Sequence, residues 1–346
     1  MYFNNKNDTI KHGETMKQYL ERYLQDFPNG TIQDSLKYLF QTYGPRHLWM
    51  NNKVAECINQ ELATLTDLGK YENLYDQIGP CFVRINLRVF KKYHLDTKWL
   101  VATFINSNHY EQPQIDWQAF RQVLSEVGYL TKDVDSELAK LKASASISHS
   151  DEYHQAYHPA YRLVKKALLT EDIIFLQAKN FLDQYSDNKL KIIAIDGKCA
   201  CGKTTLAQHL SEHYHAVVVH ADDFFDNADQ EIGINSQRFK EEILNRAVKG
   251  KALEYQRYDC AKKKMLSVKT DILQEWLIIE GVYAANTQLY DAYDAVLFMD
   301  IEPKEQLKRL GLRSQILLPR FQNEWIPREN TYFQREKLYL KADLII

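Results

Sequence analysis

The 346-residue sequence contains no apolar run near the roughly 20 residues that a membrane-spanning helix needs, so no membrane partner is expected. Neither charge is in excess: 44 Lys and Arg stand against 46 Asp and Glu, a formal net charge of -2. That balance supplies no electrostatic pull toward nucleic acid, which is disfavoured as a partner. Cysteine is scarce and odd in number (Cys57, Cys81, Cys199, Cys201, Cys260), with no framework spacing. Such usage excludes a disulfide-built secreted domain and fits a reducing compartment. The opening stretch MYFNNKNDTIKHGETMKQYL lacks the apolar segment of a secretory signal, so a cytoplasmic location is expected. Glycine (12) and proline (8) are sparse, and the 22 tyrosines are scattered, as packing residues would be. The length allows two domains, and nothing in it argues against a homo-oligomer.

What is present divides near residues 186–190. The first part, 1–186, reads as a mostly α-helical domain. TIQDSLKYLFQTYG places Ile32, Leu36, Leu39 and Phe40 on one helical face and ends at a glycine. DWQAFRQVLSEVGYL repeats the pattern with Phe120, Val123, Leu124 and Val127. CFVRINLRVF is ambiguous, a strand by its period of two but not by its helical surroundings. KASASISHSD (142–151) reads as a loop, and AYRLVKKALLTEDIIFLQAKNFLDQY as a long helix. His149, His154 and His158 match no standard metal spacing, with Pro159 breaking the helix that would align them. Arg84 and Arg88 flank Asn86 and read as a solvated face. No catalytic motif lies in this half.

From 187 to 346 the grammar changes. Short apolar runs (KIIAID, AVVVHAD, WLIIEG, AVLFMD, ADLII) alternate with amphipathic helices. This predicts an α/β domain, a parallel sheet with helices on both faces. Within it, Gly197-Lys198-Cys199-Ala200-Cys201-Gly202-Lys203-Thr204 fits the G-x-x-x-x-G-K-[ST] phosphate loop, or Walker A pattern, of P-loop NTPases, with Thr205 behind it. Backbone N–H groups must wrap a polyphosphate there, and the following helix turns its positive end toward the same anion. Lys203 would reach the β/γ-phosphates and Thr204 would ligate Mg2+, so ATP and Mg2+ are the expected cofactors. Cys199 and Cys201 read as small side chains at variable positions rather than as a redox pair.

Asp222 and Asp223 end the second apolar run, on the sheet edge where open α/β sheets bind ligands. An alcohol kinase needs a carboxylate there to take the hydroxyl proton, and another for metal. Adjacent acids on a strand point to opposite faces, so one of the two is expected to face away. Glu280 ends the third run as a metal or water-network candidate, preferred to Asp300 because Gly281 behind it permits close backbone approach.

IAIDGKCACGKTTLA, HADDFF, YQRYD, LIIEGVYA, YDAVLFMDIEPKEQLKRLGLRS and KADLII, in this order, make residues 190–346 resemble the uridine kinase family of P-loop kinases. That group also includes phosphoribulokinase-like and pantothenate kinase-like enzymes. The resemblance implies that Asp222 is the catalytic carboxylate and that Tyr258 and Asp259 line the substrate pocket. It further implies that Arg309 and Arg313 are lid arginines beside Lys203, with Arg320 a further lid candidate. Two departures bear on substrate. YDCAKKKM offers Lys262, Lys263 and Lys264 where the uridine-specific pattern has a histidine, and Arg238 stands where an acid would read ribose. Together these suggest an anionic acceptor. The sequence ends on the last strand, so a second element, such as YHQAYHPAYRLV, is expected to supply the adenine wall.

The expectation is a Mg2+/ATP-dependent kinase acting on a small-molecule hydroxyl, with the helical domain shaping or gating the pocket. Its rivals are an ATP-sensing regulatory protein without kinase activity and a polynucleotide 5′-hydroxyl kinase.

Overall fold

The computed structural model describes residues 6–44, 53–66, 73–108, 114–144, 146–185, 187–225, 233–259 and 264–346. The chain divides into two compact units, Met1–Leu169 and Thr170–Ile346.

The first unit is an N-terminal helical region around a small sheet. Helix Ile32–Gln41 begins at a reciprocal cap between Thr31 and Asp34 and buries Leu36, Leu39 and Phe40. Helix Trp117–Glu126 is capped by Asp116 and buries Phe120, Val123 and Leu124. Three antiparallel strands, β1 (Tyr75–Ile78), β2 (Phe82–Asn86) and β3 (Tyr161–Lys165), pair in the order β1-β2-β3. The ambiguous segment is therefore both things. β2 stops at Asn86, whose side chain accepts from the N–H groups of Arg88 and Val89 and starts helix Leu87–Lys92.

Two expectations are corrected here. Helix Thr131–Ser144 takes in the first three residues of the stretch read as a loop, while 146–150 carry no regular structure, as expected. The supposed long helix from Ala160 is instead β3, a short 3-10 turn and a separate helix, Glu171–Leu182. β3 exists because β2 has an open edge, and Phe82 to Asn86 pair with Lys165 to Tyr161. A tertiary partner decides the conformation there, overriding local period.

Helix Glu171–Leu182 packs on helix Lys203–Tyr214, with Phe175 edge-on to His213 at 5.6 Å between ring centres. It thus belongs to the second unit, and the division falls at 169/170 rather than 186/187.

The second unit contains five parallel strands: β4 (Lys191–Gly197), β5 (Val217–His220), β8 (Trp276–Glu280), β9 (Ala295–Met299) and β10 (Leu344–Ile345). The intervening β6 (Ala252–Asp259) and β7 (Lys264–Ile272) form an antiparallel ribbon. The sheet order is β10-β9-β4-β8-β5. Every residue of β8 and β9 is buried, which is why they read as unbroken apolar runs. Each buried Ile or Leu contributes about 1.5–3 kcal/mol. The chain leaves β4 toward one side of the sheet and later crosses to the other. The reversal leaves a crevice outside the carboxyl end of β4, where doubly wound sheets hold ligands. The arrangement is compatible with a P-loop-type α/β fold.

Candidate functional site

At that crevice β4 runs into the loop 197–202 and then helix Lys203–Tyr214. Gly197 has φ +149°, and a Cβ there would lie 2.0 Å from the Met299 carbonyl oxygen of β9. Only glycine lets the two backbones meet. Ala200 sits at φ +61°, a left-handed conformation that a side chain rarely adopts.

Lys203 is buried, and its Nζ donates to the carbonyl oxygens of Gly197 and Lys198, each at 2.9 Å. Burial alone would favour a neutral amine. The Cys201 thiol and the carboxyl groups of Glu329, Asp196 and Glu280 instead hold its pKa above the ordinary lysine value. The ammonium is therefore charged and folded against its own loop.

Glu280 lies beside Ile195 of β4 and His220 of β5 in the sheet register. Its Oε1 accepts from the Thr204 hydroxyl at 3.2 Å and is 2.5 Å from His220 Nδ1. That contact raises the His220 pKa against the effect of burial. A hydroxyl and a carboxylate at one point form a hard-oxygen donor pair suited to Mg2+, which takes one or two protein ligands besides phosphate and water. Among the described residues, no group of three His, Cys, Asp or Glu side chains gathers into a metal site. A Mg2+ held by Thr204 and Glu280 would take the rest of its shell from water or phosphate oxygens.

Asp222 and Asp223 lie in a 3-10 turn, Ala221–Phe224, directly after β5. Gly281 makes room for it: a Cβ on Gly281 would come within 2.8 Å of Ala221 Cβ. Asp222 is exposed to solvent. Desolvation pushes its carboxyl upward, Lys203 and His220 oppose the push, and Glu280 and Asp223 add to it. Asp222 and Lys203 therefore share one electrostatic neighbourhood on the carboxyl edge. Asp223 points elsewhere. It is buried, accepts from the Tyr255 hydroxyl at 3.0 Å and lies 4.0 Å from Arg257 Nε.

The remaining candidates separate. Lys198 pairs with Asp300 at 2.7 Å, both buried, which removes Asp300 from the metal site. Arg309 bonds Glu305 and reaches the Ala200 carbonyl at 3.4 Å, so one lid candidate touches the loop. Arg313 is exposed at the end of the same helix, Pro303–Arg313, and Arg320 pairs with Glu324 and stacks on Trp325. Arg238 packs on Phe224 and donates to the carbonyls of Asp223 and Gln256, each at 3.0 Å. Its guanidinium is committed to the protein. Tyr258 is half-buried on β6, opposite Met265. The Asp259 side chain, Lys262 and Lys263 lie outside the described residues, whereas Lys264 is exposed on β7. Thr205 is exposed on the first helical turn. Burial pushes the Cys199 thiol up, with the Glu329 carboxylate adding to the effect, which removes the thiolate a redox loop would need.

Sequence reasoning missed three groups. Asp196, fully buried, accepts from Gly197 N–H (2.6 Å), Ala285 N–H (2.9 Å) and the Tyr332 hydroxyl (2.7 Å). Burial raises its carboxyl to about 6. His220 holds Glu280. Glu329, buried on helix Ile326–Glu336, accepts from the Cys199 N–H of the loop at 3.0 Å. Asp196 carried a signal, an acid closing an apolar strand just before the first loop glycine. Glu329 carried one too, since it shares a helical face with Tyr332, Phe333 and Glu336, all buried.

No family model matches this chain, and no curated protein does. One solved structure to which it is similar is described as a possible uridine kinase from Bacillus stearothermophilus. The two are 19% identical over 48% of this chain and 96% of that one, with a TM-score of 0.39. At that distance the functional reading rests on this chain's own residues.

Proposed function

We propose that the chain is a Mg2+/ATP-dependent phosphotransferase that moves the γ-phosphoryl of ATP to a hydroxyl of a small molecule, in the manner of uridine kinase-like enzymes. The observation that carries this reading is the meeting of three groups on one sheet edge. They are a glycine-closed loop with a charged Lys203, the Thr204–Glu280 oxygen pair, and the solvent-reaching Asp222. A nucleotide holder needs only the first. Asp222 takes the proton as the acceptor oxygen bonds the γ-phosphorus, and ADP leaves with the electrons of the broken P–O bond. Thr204 and Glu280 would hold Mg2+, whose charge would offset that on the phosphate oxygens. Lys203 and Arg309 supply fixed cations beside the same loop. Arg238 is spent within the protein, so the case for an anionic acceptor passes to Arg257 and Lys264, both exposed on the ribbon.

The test is ATP consumption by the full chain across a panel of neutral, carboxylated and phosphorylated alcohols, with wild type and Asp222→Asn side by side. Turnover with at least one acceptor is expected, falling by about 10²–10⁴ in the variant with ATP affinity kept. ATP binding without stimulation by any acceptor would leave the sensor reading in its place.

A further inference from the structure

The phosphate loop of this chain already holds an anion of its own. The Cys199 N–H, one of the backbone donors that would face a polyphosphate, is taken by Glu329 Oε2 at 3.0 Å. Glu329 is only 4% exposed; burial pushes its carboxyl up, and the Cys199 N–H, Lys203 and Lys198 oppose the push and favour the carboxylate. The contact is not a chance surface approach. On the same helical face, the Tyr332 hydroxyl donates to Asp196 at 2.7 Å, and Glu336 accepts from Thr287 N–H at 3.0 Å. Three polar side chains at i, i+3 and i+7 thus fasten helix Ile326–Glu336 over the end of β4. Lys203 is meanwhile turned onto the Gly197 and Lys198 carbonyls.

A carboxylate has the charge sign and the oxygen acceptors of a phosphate, and it carries no strongly held hydration shell once buried. Removing it from the loop therefore costs its hydrogen bond, and leaving it there while a phosphate enters costs like-charge repulsion. Either way nucleotide competes with it. We propose that Glu329 is a built-in competitor for the phosphate loop, and that nucleotide binds only when this carboxylate leaves the Cys199 N–H. This rests on the phosphate-loop reading above. The apparent affinity is the intrinsic one multiplied by the fraction of molecules in which Glu329 is out. The Tyr332 and Glu336 anchors keep the rest of the helix in place, so Glu329 acts as a latch on one donor.

The measurement is calorimetric affinity of the full chain for ATP and for ADP, each with Mg2+, in wild type, Glu329→Gln and Glu329→Ala. Glu329→Gln keeps the shape and removes the charge; Glu329→Ala removes both. Tightening of about tenfold or more is expected in Glu329→Ala, the size of one lost charge-assisted contact, with a smaller gain in Glu329→Gln. Nucleotide bound by the variants but not by wild type supports the latch most strongly. Unchanged or weaker binding in a folded Glu329→Gln overturns it while the phosphate-loop reading stands. Should none of the three proteins bind nucleotide, that reading fails and the latch falls with it.

Discussion

Each unit buries a cluster of charged groups, and the two clusters are built to opposite plans. In the first unit, Asp34 accepts from the Thr31 N–H and hydroxyl, both at 2.9 Å, from Ser150 N–H at 3.0 Å and from the Ser150 hydroxyl at 2.5 Å. It also bonds His149 Nδ1 at 2.8 Å, and His149 Nε2 meets the Tyr161 hydroxyl at 2.8 Å. Gln41 links Tyr161 to Arg84, whose guanidinium lies buried against the rings of Tyr161, Tyr23 and Tyr38. Each charge is answered from within the cluster, by side chains and by the Thr31 and Ser150 N–H groups. Arg84 is thus neither a solvated residue nor an anion contact, and His149 is a hub of the packing. In the second unit, Lys203 is answered by loop carbonyls, the Thr204–Glu280 pair stands at a strand end, and Asp222 opens to solvent. A closed network holds a fold together, whereas groups parked on backbone or left at a crevice are available to a ligand.

The comparison breaks most sharply at Lys203. Lys203→Ala should cut acceptor-stimulated ATP turnover by about 10³-fold or more. Its loop carbonyls can be rehydrated, so the melting temperature should shift by only a few degrees, about 1 kcal/mol. A Lys203→Ala protein that melts far below wild type, with turnover intact when folded, would mean that this lysine is part of a closed network too.

Asp34→Ala makes the opposite demand. It strips five acceptor contacts and leaves buried donors unanswered, so a loss of about 3–5 kcal/mol in unfolding free energy is expected from denaturant titration. Below its melting range the variant should bind ATP within about twofold of wild type. A selective loss of ATP binding without destabilisation would give the first unit a role in nucleotide handling that the closed network does not supply.

The contrast also decides what could be read from the sequence. The five sheet strands were legible because parallel strands buried on both faces write their burial as continuous Ile, Leu and Val. The strand–loop–helix was legible from glycines and Lys-Thr at set spacing. Asp222 and Glu280 were placed at strand ends, since acids closing such runs arrive on the carboxyl edge of the sheet. The closed network was opaque. Asp34 and His149 come from segments more than a hundred residues apart, and nothing local marks Tyr161–Lys165 as the partner of β2. The helical face of Glu329 could be read, but its partner Cys199, 130 residues away, could not. Local pattern reports what a strand or loop needs of itself, but not which distant side chain will answer a buried charge.

The smallest effect sharpens the comparison by pH. His149 is buried against Tyr153, their rings stacked at 3.9 Å, with Asp34, Tyr161 and His154 around it and the cations Arg84 and Lys37 acting on it. Burial lowers its pKa from 6.5 to about 3, with Arg84 and Lys37 adding to the effect and the Asp34 contact opposing it. The folded imidazole is thus neutral where the unfolded one takes a proton. The stability tied to His149 is complete above pH 6.5 and declines as the pH falls from 6.5 toward 3. It should decline by about 1.4 kcal/mol for each pH unit in that window. His149→Gln removes the titration, so the stability gap between wild type and variant should be widest near pH 8 and narrow steadily on acidification. Denaturant unfolding at pH 8, 6 and 5 reads it directly. A gap that widens on acidification would mean that His149 is protonated in the folded chain, the network then holding an ion pair rather than a neutral relay, and a constant gap would mean that folding leaves its pKa unshifted.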